Sequence, residues 1–228
     1  MTTLEVLKSG VTPRLPGRVA EWFDRATREI PGGSRDHLLQ LYTDTSRHTG
    51  HPPQPLDPFE GFPPASVTEL SLAFWTIEDA VRLALLLTRS EAVGPDDFYE
   101  DAVACYELGV AREQRSWLKA VSLLPTPERY LALVIDACRT NILPQFEAVA
   151  CENPYPARYF PEPNFNQLVL KALFNGVRLE RIVGLARRAN AELARMAGDY
   201  AAERRAARRS VPVDIGLAMT GATTGMHS

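Results

Sequence analysis

The sequence predicts an all-α protein: antiparallel helical hairpins stacked in a single domain, in the manner of a HEAT-like or irregular solenoid. Three observations carry this expectation. Apolar residues recur at three- and four-residue spacing through most of the chain, which marks one buried face of a helix. These runs follow one another with short proline or glycine breaks, as antiparallel helix pairs do. Alternating stretches typical of half-buried strands are nearly absent. From Thr76 onward the chain cycles through helix, proline stop and capped restart, but the letters contain no strict repeat.

Composition sets the outer bounds. A chain of 228 residues with 45% hydrophobic and 23% charged side chains can bury one sizeable core. Its net charge of −3 gives no global attraction to nucleic acid. The longest apolar block, near residues 80–87, falls far short of the roughly 18 residues of a membrane span. The start, MTTLEVLKSG, lacks the basic and apolar blocks of a signal peptide. Three cysteines, an odd number without a CxxC, read as reduced core thiols of a cytoplasmic protein.

Taken in order, residues 1–13 are expected as a flexible start to a helical domain over 14–210. Val19, Trp22, Phe23 and Ala26 share a face of the first helix, which Pro31, Gly32 and Gly33 end. Ser34 caps a second helix through Leu38 and Tyr42. Residues 48–65 form a proline-rich loop; His48 and His51 lie in it without the third or fourth ligand that a zinc site needs. Thr76 and Asp79 resemble a capping box ahead of Ala80, Leu83 and Leu86. Gly94 and Pro95 open the next helix, and residues 112–124 form another, with Gln114 as a polar residue on its inward face. Thr126 and Pro127 start a helix that carries Arg129, Asp136 and Thr140 on a narrow polar stripe. Residues 164–175 form an amphipathic helix stopped by Gly176, and Asn190 caps the last. Residues 211–228 are expected as a flexible tail.

The densest polar grouping lies between residues 136 and 176. The segment CENPYPARYFPEP over 151–163 has prolines that oppose helix, and its rings must pack on something or line something. Arg139 and Asn141 leave the preceding helix facing it. Asn166 falls inside the apolar arc of its own helix, where an unpaired amide would cost roughly 1–3 kcal/mol. It either bridges a neighbouring backbone or meets a ligand. The candidate ligand-binding set is Arg139, Asn141, Glu152, Asn153, Tyr155, Asn166, Gln167 and Lys171. Arginine and amide groups suit recognition of phosphate or hydroxyl groups without supplying a nucleophile. No phosphate loop, dinucleotide fingerprint, HExxH or GxSxG is present, and no cofactor or metal is expected. Catalysis would fall to Lys171 or to carboxylates such as Asp136, Glu147 and Glu152.

The pieces REQRSWLKAVSLLP, DACRTN, FEAVACENPYPARYFPE, FNQLVLKALFNGV, RIVGLARRANAELARMAGDYAAERRAA and VPVDI together resemble the EboA family over residues 112–215. Arg178 and Pro163 stand where that pattern favours proline and an apolar residue. The resemblance implies a helical metabolite traffic protein of bacterial secondary metabolism, with no established chemistry. It implies operon-encoded partners: a UbiA-like membrane prenyltransferase, a TatD-like hydrolase, a sugar-phosphate isomerase-like protein and a dehydroquinate synthase-like cyclase. Two function classes follow. One is a non-catalytic binding or adaptor protein for a polar small molecule or partner enzyme. The other is a pathway isomerase, lyase or transferase. The arginine-rich last helix adds peripheral membrane contact as a further expectation, and nucleic acid is not expected.

Overall fold

The computed structural model describes residues 1–50 and 52–220. Among them the regular elements are all helical; the only β pairing is two isolated bridges, Pro55 with Thr76 and Phe59 with Phe62. The chain is all-α, as its periodicity predicts. It divides into two compact units, residues 1–130 and the remainder from Leu131.

The first unit holds α1 (Thr3–Val11), α2 (Gly17–Glu29), α3 (Arg35–Thr49), α4 (Ile77–Ser90), α5 (Pro95–Glu107) and α6 (Ala111–Ala120). Helix α1 occupies most of the stretch expected as a flexible start. Thr2 and Glu5 form a complete capping box, and Leu4, Leu7 and Val11 are buried along one face. Its Gly10 lies against the ring of Phe59, since a Cβ there would stand 2.1 Å from Phe59 Cε2. Arg14 donates to the carbonyls of Gly10 (2.6 Å) and Pro58 (3.3 Å) and lies over the Phe59 ring. Helix α3 runs on through His48, which stacks on Trp22 at 4.2 Å, so the irregular segment begins later than expected. His51 lies outside the described residues.

Helix α4 is the centre of this unit. It packs against α1, α2, α3, α5 and α6, and every residue from Ile77 to Arg89 is buried. The capping box of Thr76 and Asp79 is present as read. Full enclosure means its charged residues must be answered inside the protein. Arg82, 1% exposed, pairs with Glu78 and donates to Ser116 Oγ (3.1 Å) and the Tyr42 carbonyl (3.0 Å). Glu78 also pairs with Arg112. Asp79 accepts from Ser116 Oγ (2.6 Å) and Lys119 Nζ (2.7 Å). At the other end Asp101 accepts from Arg89 (2.7 Å) and Arg35 (2.6 Å). Gln114 is a satisfied amide, donating to the Tyr106 carbonyl at 3.2 Å. Thr126 is not the expected cap: it sits at φ 46°, and a short 3-10 turn, Pro127–Tyr130, follows it.

The second unit holds α7 (Leu131–Ala137), α8 (Leu143–Ala150), α9 (Tyr155–Tyr159), α10 (Glu162–Asn175), α11 (Leu185–Arg188), α12 (Ala191–Ala206) and α13 (Gly216–Met219). Helix α10 packs against α8 and α12. Gly176 ends α10 in the left-handed conformation at φ 70°, as a C-terminal glycine does. The segment around Pro154 and Pro156 is not helix-free: both prolines fall at the start of α9, where no helical hydrogen bond needs their nitrogens. Helix α13, with Ile215 and Ala218 buried, falls within the stretch expected as a flexible tail; residues 221–228 lie outside the described residues.

Candidate functional site

One cleft in the second unit gathers several of the predicted polar side chains. It measures about 390 Å³ and is lined by Ile135, Cys138, Arg139, Phe160, Asn164, Gln167, Leu168 and Lys171. Helix α7 and the residues just after it supply one wall, and α10 supplies the other. The helical period explains the second wall. Asn164, Gln167, Leu168 and Lys171 fall at i, i+3, i+4 and i+7, so they line one side of α10. Phe160 closes one end from the turn between α9 and α10, its backbone fixed by Arg188, which donates to the Phe160 and Ala157 carbonyls (both 2.7 Å).

The cleft has an apolar floor and a polar rim. Ile135, Leu168 and Phe160 give carbon surface; Arg139, Asn164 and Gln167 give donors and acceptors. Arg139 is 77% exposed on its side chain, and its ion pair with Asp136, at 3.0 Å, is equally open to water. Such a pair is worth under about 1 kcal/mol, so the guanidinium can turn toward a ligand at little cost. Lys171 is held differently. Its Nζ donates to the carbonyls of Cys138 (2.6 Å) and Thr140 (2.7 Å), closing the C-terminal end of α7, and it lies over the Phe146 ring. Burial pushes the Cys138 thiol up to about 12, and the nearby Lys171 offsets only part of that rise. A thiol so far above neutral pH is a poor nucleophile.

The structure therefore brings together three of the eight predicted residues: Arg139, Gln167 and Lys171. The other five lie outside the cleft lining. Asn141 is exposed on the surface. Glu152, in the left-handed region at φ 53°, is forked by Arg181 at 2.9 and 3.0 Å, and Arg181 also reaches Glu147 at 2.5 Å. Asn153 donates to the Ala148 carbonyl (3.0 Å) and accepts from the Tyr155 amide (3.0 Å), shaping the turn into α9. Tyr155 is fully buried against Tyr159 and Phe160. Asn166, 2% exposed, exchanges paired amide hydrogen bonds with Asn190 at 3.2 and 3.0 Å, while Asn190 Oδ1 caps α12 through the Leu193 amide at 2.8 Å. Asn164 lines the rim although it lies outside the predicted set. Its position one turn before Gln167 on the same polar face was the available signal.

Among the described residues, no group of three or more histidine, cysteine or acidic side chains is placed to hold a metal ion. None of the described helices is long and apolar enough to cross a membrane. A profile of the EboA family, described as metabolite traffic protein EboA, matches residues 3–220. The chain belongs to the EboA family. The EboA match takes in α1 and α13, well beyond the motifs over residues 112–215. No curated protein and no solved structure matches the chain.

Proposed function

We propose that this EboA protein is a non-catalytic binding protein that holds a small metabolite in the cleft between α7 and α10 and passes it to partner proteins. The observation that carries this reading is the lining of the cleft: carbon surface below, guanidinium and amide groups above, in a volume of about 390 Å³. Small-molecule sites occupy roughly 300–1,000 Å³ and combine apolar walls with a few orienting polar groups. The matching ligand has a flat or branched apolar body and a hydroxyl or anionic edge facing Arg139, Asn164 and Gln167. The chemistry of the lining favours holding over transforming. Two of the donor directions of Lys171 end on carbonyls, and the Cys138 thiol is held well above neutral pH by burial. The family description as a metabolite traffic protein fits a carrier of this kind. A cytoplasmic setting in bacterial secondary metabolism, with operon-encoded partners, belongs to the same proposal.

Native mass spectrometry of the protein purified with its operon partners tests it. Wild-type protein should carry a small-molecule adduct. Gln167→Trp, which fills the cleft from its exposed rim, should lose the adduct at unchanged melting temperature, and Arg139→Ala should weaken it about tenfold, as loss of a charge-assisted hydrogen bond does. An adduct retained in full by both folded variants would place the ligand elsewhere.

A further inference from the structure

The C-terminal end of α12 presents a second feature that the cleft does not use. Arg204, Arg205, Arg208 and Arg209 place four arginines within six positions of a chain whose net charge is −3. Arg204 is built into the structure: its Nε donates to the Ser210 carbonyl at 2.8 Å, and its guanidinium lies 5.8 Å from the Tyr200 ring centre. Arg205, Arg208 and Arg209 are exposed and make no ion pair with any described residue. Arg195, earlier on the same helix, shows the contrast, since it is locked between Glu192 (2.6 Å) and Asp199 (2.7 Å). Cations in a last turn offset the negative helix end, which accounts for Arg204 and Arg205. It does not account for Arg208 and Arg209, which lie beyond the helix end at Ala206.

Beside these charges stands an exposed ring. Phe174, at the end of α10, is 64% exposed and meets Tyr200 edge-on at 4.7 Å. The dent that Phe174 and Tyr200 form with Arg204 and Arg209 measures only about 70 Å³, and Glu203 is its one carboxylate. That volume is too small for a metabolite site, whose range begins at roughly 300 Å³. A lone ring also lacks the successive aromatic platforms on which single-stranded nucleic acid stacks. An exposed ring beside Arg204 and the unpaired Arg209, at a helix end that also carries Arg205 and Arg208 on an otherwise acidic chain, suits a surface both anionic and, just beneath, apolar.

We propose that this end of the second unit docks on an anionic lipid bilayer, with Arg205, Arg208 and Arg209 over the headgroup phosphates and Phe174 in the interface. Attachment is peripheral and reversible. Each arginine held near such a surface strengthens partition by about fivefold, and the contribution fades with salt.

Co-sedimentation of the full chain with vesicles tests the proposal. The probes are phosphatidylcholine vesicles and phosphatidylcholine vesicles containing phosphatidylglycerol. Binding is expected only to the anionic vesicles, and it should fall as salt is added. R205Q/R208Q/R209Q should lower partition about a hundredfold, and F174A severalfold with the salt dependence intact. Should the triple variant fail to fold by circular dichroism, R208Q/R209Q, which lies outside the helix, must still lower partition about twenty-fivefold. Absence of binding to anionic vesicles at low salt overturns the proposal. So does equal binding to both vesicles, wild-type partition by the arginine variants, or tighter binding to a transfer RNA that displaces the vesicles.

Discussion

Asn166 illustrates how a polar side chain comes to sit on an apolar helix face. Its amide and that of Asn190 exchange two hydrogen bonds, and the same Asn190 oxygen caps α12. Capping and burial are thus one interaction. Asn190→Ala should cost about 1–2 kcal/mol through the lost cap. Asn166→Ala should cost a similar amount, because it removes both hydrogen bonds to Asn190 and leaves that amide only the Arg188 carbonyl and the Leu193 N–H. The double variant should then cost less than the two singles together by at least about 0.5 kcal/mol, read from urea unfolding midpoints. Strict additivity would mean that the two amides act independently. The helical wheel placed Asn166 within the apolar arc, but its partner lies 24 positions along the chain. Periodicity reports which way a side chain points within its own helix and carries no information on what faces it. Lys171 shows the same limit: its place on the polar face was legible, whereas its two carbonyl acceptors, 31 and 33 positions away, were not.

At the scale of the element, α4 shows why capping was legible and enclosure was not. Thr76 and Asp79 announce its start by spacing alone. Charged residues such as Glu78, Asp79, Arg82 and Arg89 ordinarily face water, yet all four are buried here, because other helices pack around α4. Asp79 records the result. Burial alone would raise its carboxyl, but the Lys119 ammonium, with Ser116 and the Thr76 amide, brings it below the ordinary carboxylate value. A folded-state pKa below the unfolded one means that the native state binds fewer protons. The stabilisation is therefore present above the unfolded carboxylate range, near pH 4, and is lost as pH falls through the lowered value. Asp79→Asn should be less stable than wild type by about 1–3 kcal/mol at pH 7, and the gap should narrow on acidification. Denaturant titrations at several pH values would check this; parallel curves for the two proteins would refute it. The proline-rich stretch around α9 makes the complementary point. Prolines oppose helix in its interior, but at the first turn of a helix they block nothing.

At the scale of the whole molecule, the helical class followed directly from spacing and breaks, and the ends did not. Both termini are expected as loose chain, while Leu4, Leu7, Val11, Ile215 and Ala218 are buried there. Few apolar residues suffice to seat a short helix when each of them finds a groove. The three cysteines are reduced and separate. Burial pushes the Cys138 and Cys151 thiols up to about 12 and raises Cys105 further still. A disulfide-exchange reagent at pH 8 should therefore label the native protein slowly and all three thiols promptly once the chain is unfolded. A fast native phase removed by Cys138→Ala would show that the cleft opens onto that sulfur.

The contact between Gly10 and Phe59 has a reach beyond its size. Arg14 fastens the same ring and the Pro58 carbonyl, so the first helix and the long irregular segment grip each other across forty-odd positions of sequence. An affinity tag or trimmed start that distorts the opening turns would loosen a stretch that lies nowhere near the cut. Truncated preparations of this chain would then behave as softened proteins, for a reason their missing residues would not suggest.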